Sequence, residues 1–151
     1  MLRTLIADAL KKSMIAKNTK STATLRLILA ALKDRDIAAR SKDKKETISD
    51  DEILGLLQSM IKQRRESILL YEQGGRMELA QQEAEEISVI EEFLPIQMGD
   101  EEMTTIIDTI LTETDATNLK DMGRVMSTLK KNYTGKMDFS KASALVKKRL
   151  A

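Results

Sequence analysis

At 151 residues, with 25 Lys and Arg against 24 Asp and Glu, the chain has a net charge of +1 and enough length for one domain or two small ones. It contains no His and no Cys, which excludes an imidazole base, a Ser-His-Asp triad, a thiolate nucleophile, a disulfide and the common zinc sites. The charge is segregated: residues 1–48 hold 12 basic and 5 acidic side chains, residues 49–115 hold 4 and 17, and residues 116–151 hold 9 and 2, a pattern that predicts a polyanionic partner and separable domains.

Apolar residues recur at helical spacing, and six Gly with one Pro leave little material for turns. Leu2, Leu5, Ile6, Ala9 and Leu10 predict a first helix. Leu25, Ile28, Leu29 and Leu32 predict a second, opening near Ser21 or Thr22, and the charged stretch Ala39 to Thr47 reads as a loop. Ser49-Asp50-Asp51-Glu52 forms a capping box with three acids in the first turn, so a third helix starts there and runs to about Gln73. Gly74-Gly75 permits a left-handed turn, and a fourth helix follows from about Met77 to Phe93, where Pro95 closes it. Beyond that boundary, Gly99 with Glu102 opens a fifth helix through Met103, Ile106, Ile107, Ile110 and Leu111. Asn118 caps a sixth with Met122, Val125, Met126 and Leu129, and Asp138 caps a seventh with Ala142, Leu145, Val146 and Leu150. No pattern of period two competes. The expectation is an all-α protein with a four-helix N-terminal domain over residues 1–95 and a three-helix domain over 96–151. The longest apolar run, Leu27 to Leu32, is far short of the roughly 20 residues a membrane span needs. Asp8 interrupts the first apolar segment before a signal-peptide core forms. A cytoplasmic protein with no membrane partner is expected.

Neither GxxxxGK[ST] nor GxGxxG occurs. Glu83, Glu85, Glu86, Glu91 and Glu92 offer paired carboxylates, but a charge-rich helix more often presents these as a solvated face. No catalytic residue, cofactor or metal site is therefore assigned. Arg64 falls on the apolar stripe Ile53, Leu57, Met60, Ile61, Ile68 and Tyr71, where an unpaired charge is unfavourable. Glu83 falls on the stripe of the fourth helix. An antiparallel hairpin about Gly74-Gly75 predicts that Arg64 pairs with Glu83 or Glu86.

In the tail, Lys120, Arg124 and Lys131 fall in one narrow sector of the sixth helix at about 100° per residue, opposite Met122, Val125, Met126 and Leu129. Lys130 flanks that sector. Gly135-Lys136 reads as a flexible basic loop, and Lys141 and Lys148 share a face of the next helix, with Lys147 nearby. Such a surface suits phosphate contacts that give affinity without reading sequence. The plain alternative is a basic face that complements helix C-termini. Only four aromatic residues are present, Tyr71, Phe93, Tyr133 and Phe139, which disfavours stacking on single strands. Arg26, Lys33 and Arg65 form a candidate second basic patch.

Several of these segments resemble the YqeY-like family: Thr24-Leu25-Arg26 with Ala30-Ala31-Leu32-Lys33, then Ile61 to Ile68, then Gly75-Arg76, Leu79-Ala80, Glu83, Glu86-Ile87, and Phe93-Leu94-Pro95 with Gln97. Met122-Gly123-Arg124-Val125-Met126 and Gly135-Lys136-Met137-Asp138 continue the likeness into the tail. Gly99, Phe93 and Asp36 stand where that family usually has Ser, Tyr and Glu. The resemblance implies an all-helical protein whose tail is similar to the C-terminal domain of the GatB amidotransferase subunit, a module that helps hold tRNA. It assigns Gly123, Lys130, Gly135 and Lys136 to a tRNA-facing role. Three functions follow as expectations. The leading one is a non-catalytic tRNA-binding accessory protein, working with an aminoacyl-tRNA synthetase or amidotransferase complex. The second is a share in a glutamine-dependent carbon–nitrogen ligase, in which a partner supplies the ATP and ammonia chemistry. The third is a protein–protein adaptor that docks a basic enzyme on the acidic middle.

Overall fold

In the computed structural model, which describes residues 1–151, all regular structure is helical. α1 spans Leu2–Ile15 and α2 spans Thr19–Lys42. The sequence placed the start of α2 near Ser21 or Thr22. Asn18 caps it instead, its side-chain oxygen accepting from the Ser21 N–H at 3.1 Å. Asn caps a helix as well as Ser does, and the preceding Lys17 takes the left-handed conformation that turns the chain back. Thr22 is buried and shares a 2.9 Å hydrogen bond with Ser13 of α1. α2 also runs past the expected loop start at Ala39. Its buried stripe continues from Leu25, Ile28 and Leu32 through Asp36 to Ala39, so the charged sequence hides one more turn of core-facing helix.

Asp36 is the reason that stripe can hold a charge. Arg3 of α1 donates from Nη1 to Asp36 Oδ2 at 2.7 Å and from Nη2 to Asp36 Oδ1 at 2.5 Å. Arg3 Nη2 also donates to the Ile48 carbonyl at 3.1 Å, and the Ile48 N–H donates to Asp36 Oδ1 at 2.9 Å. The bidentate pair therefore ties α1, α2 and the segment leading into the third helix at one point. Its hydrogen bonds with Arg3 hold the Asp36 carboxyl below the usual carboxylate range, against the opposing effect of burial and with help from the Ile48 N–H.

α3 spans Asp50–Gln73 and α4 spans Met77–Glu91. The Ser49–Glu52 capping box forms in both directions. The reversal between α3 and α4 depends on Gly75, whose φ is +71°, with nothing within 4 Å of where a Cβ would lie. Crowding is thus absent and the backbone alone opposes a side chain. Gly75→Ala is expected to lower stability by about 1–2 kcal/mol and Gly75→Asn by less, read as denaturant midpoints. Ile6, Leu25, Ile28, Leu32, Ile53, Leu57, Ile61, Ile87 and Ile90 form the core of this first unit, Met1–Leu94. Each such side chain contributes about 1.5–3 kcal/mol by leaving water.

The second unit is Pro95–Ala151. α5 spans Asp100–Glu113, α6 spans Met122–Tyr133 and α7 spans Phe139–Leu150. Asp138 caps α7 as expected, accepting from the Ser140 N–H at 3.0 Å and the Lys141 N–H at 3.3 Å. Asn118 caps a 3-10 turn, Leu119–Asp121, rather than α6 directly. Met103, Ile107, Val125, Leu129, Met137, Ala142 and Val146 fill a core that shares no residue with the first. No helix is long and apolar enough to cross a membrane.

Candidate nucleic-acid interface

The basic surface of the second unit starts from how α6 and α7 bury their apolar faces. Val125 and Leu129 turn inward on α6, and Ala142, Val146 and Leu150 turn inward on α7. Helical spacing then leaves Lys130, Lys131, Lys147 and Lys148 exposed. Arg124 and Lys131 lie seven residues apart on one line of α6. Lys120 sits in the 3-10 turn before α6, not on α6 itself.

The Gly135-Lys136 loop, expected from the sequence to be flexible, is tied to its surroundings through its backbone. Gln97 Nε2 donates to the Gly135 carbonyl at 2.6 Å, the Met98 N–H donates to the Lys136 carbonyl at 2.8 Å, and the Lys136 N–H donates to the Tyr133 carbonyl at 3.0 Å. Gly135 is itself buried with φ +80°, and the next side chain but one, Met137, is fully buried. Only the Lys136 side chain leaves this anchored backbone for solvent. The anchored backbone has little left to lose on meeting a phosphate, while the Lys136 side chain keeps its own rotamer freedom to give up.

Three basic residues of the unit already serve carboxylates. Arg124 Nη2 donates to the Thr114 carbonyl at 2.9 Å and to Asp121 Oδ1 at 3.2 Å, bracing the end of α5 against the start of α6. The backbone N–H groups of Thr117 and Asn118 hold the Asp121 carboxyl below its usual range, and Arg124 adds to this. Lys141 Nζ lies 3.7 Å from Asp100 Oδ1, and Arg149 pairs with Asp108. Lys120, Lys130, Lys131, Lys136, Lys147 and Lys148 carry no such pair, so the surface keeps its positive excess.

In the first unit, Arg26 and Lys33 are exposed and seven residues apart on α2, so they share a face, whereas Arg65 is engaged with Glu91 at 3.6 Å. Arg64 Nε donates to Glu86 Oε2 at 2.9 Å, and Arg64 Nη1 donates to the Met60 carbonyl at 3.2 Å. The two side chains of that pair are 13% and 18% exposed. Glu83 is left with the poorer place: burial pushes its carboxyl up, the neighbouring Glu86 charge adds to the rise, and Arg64 only partly offsets it. The two carboxylates should therefore respond with opposite signs. Glu86→Gln is expected to destabilise by about 2 kcal/mol, because Arg64 loses its charged acceptor. Glu83 has a raised pKa in the folded chain, so its ionised form opposes folding at neutral pH and Glu83→Gln is expected to raise the melting temperature slightly. That difference vanishes at a pH below the unfolded glutamate value of about 4.3, where both forms are neutral. Thermal melts at pH 7 and pH 3.5 check both expectations.

No group of three or more Asp or Glu side chains is arranged to hold a metal ion. The sequence reading missed the Arg3–Asp36 tie and the Gln97 and Met98 anchors. For Asp36 a signal existed, since it continues the stripe of Leu25, Ile28 and Leu32. Nothing in the local sequence marks Gln97 as the partner of a carbonyl 38 residues away.

Comparison with known proteins places these features in a family. A family model described as YqeY-like protein matches residues 3–150. Among curated proteins, the chain is similar to "Altered inheritance of mitochondria protein 41, mitochondrial" of Kluyveromyces lactis, with 31% identity over 107 residues covering 69% of this chain and 55% of that one. The protein of the same name in Lachancea thermotolerans is 32% identical over 112 residues, covering 72% and 57%. That in Clavispora lusitaniae is 33% identical over 110 residues, covering 71% and 61%. The aligned part thus spans little more than half the length of these relatives. With a match that runs from the Arg3 strut to the last residue of α7, the chain belongs to the YqeY-like family.

Proposed function

We propose that this chain is a non-catalytic accessory protein that binds tRNA through its second unit, an independent three-helix domain that follows a four-helix one along the chain. The observation that carries the reading is the set of exposed, unpaired cations Lys130, Lys131, Lys136, Lys147 and Lys148 on a unit whose one basic loop is fixed in place by Gln97 and Met98. Exposed cations and few aromatic side chains suit a reader of folded backbone shape rather than of bases. The likeness of the tail to the tRNA-holding domain of GatB supports the same ligand. The reading leaves amidation to a partner, because the chain lacks groups for ATP or ammonia chemistry. A cytoplasmic location stays part of the proposal, while the curated relatives are named as mitochondrial proteins.

Filter binding of bulk tRNA at about 50 and 200 mM salt tests the proposal. With five phosphate contacts, each contributing a slope of about 0.7–0.9, affinity is expected to fall by about 100-fold or more between the two conditions. Binding that does not change with salt would remove the basis of the reading.

A further inference from the structure

The groove between α2 and α4 takes no part in the tRNA reading. It encloses about 680 Å3, with Lys20 and Ala23 on the α2 wall and Glu78, Gln81, Glu85 and Val89 on the α4 wall. The α4 residues recur at i, i+3, i+7 and i+11, so a single face of that helix lines the groove while Ala80, Ile87 and Ile90 face the interior. Within the groove the apolar surface is that of Ala23 and Val89. Glu78 is exposed and carries no ion pair. Glu85 accepts from Lys20 Nζ at 3.0 Å across the groove and from Gln81 on its own helix, and the Lys20 side chain is largely in solvent. The stripe from residue 78 to residue 89 rises about 16 Å at 1.5 Å per residue, three turns of helix.

We propose that this groove docks a basic amphipathic helix from a partner protein. A helix is the occupant whose apolar side chains, repeating at i, i+3 or i+4 and i+7, would meet Ala23 and Val89 inside the groove. Lys and Arg are the polar residues that match Glu78 and Glu85, the latter by displacing Lys20. A nucleic acid is disfavoured on this face, since its phosphates would meet carboxylates. The docking site therefore stands or falls apart from the tRNA reading.

Fluorescence anisotropy on the full chain tests it, with a labelled 15-residue peptide of Leu and Lys in amphipathic spacing and a shuffled peptide of the same composition as probes. The amphipathic peptide is expected to bind about tenfold more tightly than the shuffled one. Glu78→Lys with Glu85→Lys is expected to weaken it by about tenfold or more. Lys20→Ala is expected to strengthen it by about two- to fivefold, the factor held in an exposed ion pair, because Glu85 is released. A misfolded variant cannot produce that gain. Equal binding of the two peptides, no gain with Lys20→Ala, or an equal loss with Glu101→Lys and Glu102→Lys on α5 would overturn the proposal.

Discussion

Replacing Asp36 with Ala is expected to lower the stability of the first unit by about 2–4 kcal/mol, and its melting temperature by about 10 °C or more. The substitution leaves two groups without their acceptor: the Arg3 guanidinium, half of a bidentate pair, and the buried Ile48 N–H. Breaking one side of a buried pair costs about 3–5 kcal/mol, and the expectation here is lower because the Arg3 side chain is 31% exposed and water recovers part of the loss. Replacing both partners by apolar residues, Arg3→Met with Asp36→Leu, is expected to regain part of the stability, since neither charge then remains buried alone while the Ile48 N–H still lacks its acceptor. Acidification supplies a second measurement. The folded Asp36 pKa lies below the unfolded one, so the pair contributes fully above the unfolded aspartate value of about 3.9, and its contribution fades as pH falls through the lower folded value. The stability gap between the native chain and Asp36→Asn should therefore be constant above about pH 5 and narrow below about pH 4. A gap that does not move with pH would show that packing, not the ion pair, sets the cost.

Reversing charge at the fixed loop and at the end of α6 should remove most tRNA binding. Lys130→Glu with Lys136→Glu deletes two phosphate contacts and places two carboxylates against the polyanion. The salt slope is expected to fall by about 1.5–2, and affinity at 100 mM salt by at least about tenfold. Helix content should not change, because both side chains are exposed and neither makes an ion pair. Arg124→Ala provides the contrast. Its guanidinium braces the end of α5 against the start of α6, so its loss is expected to reduce stability along with binding. Unchanged affinity in the double reversal would reject this surface as the tRNA contact.

The boundaries of α3, α4, α5 and α7 were readable in the chain because each is set by a local device. Ser49 and Asp138 cap through their own side chains, Gly99 stands just before Asp100, and Gly75 supplies the one conformation that turns α3 into α4. The start of α2 was misplaced because Asn18, Ser21 and Thr22 all have capping chemistry, and packing chose among them. Thr22 went to the interior, where Ser13 satisfies it, and Asn18 was left at the helix end. The last turn of α2 was hidden in a charged stretch, where Ala39 is the one buried apolar residue and too small to mark a core face by itself.

The same division runs through the candidate sites. Segregation of charge, the helical period and the position of Arg64 on an apolar stripe are properties of the chain as written, and they fix which faces are basic and which charge needs a partner. The choice of Glu86 over Glu83 for Arg64, the anchoring of Lys136 through Gln97 and Met98, and the groove where α4 meets the first turns of α2 all join residues far apart along the chain. Distances across helices depend on how whole faces pack, and a periodicity records which face is apolar but not which partner covers it.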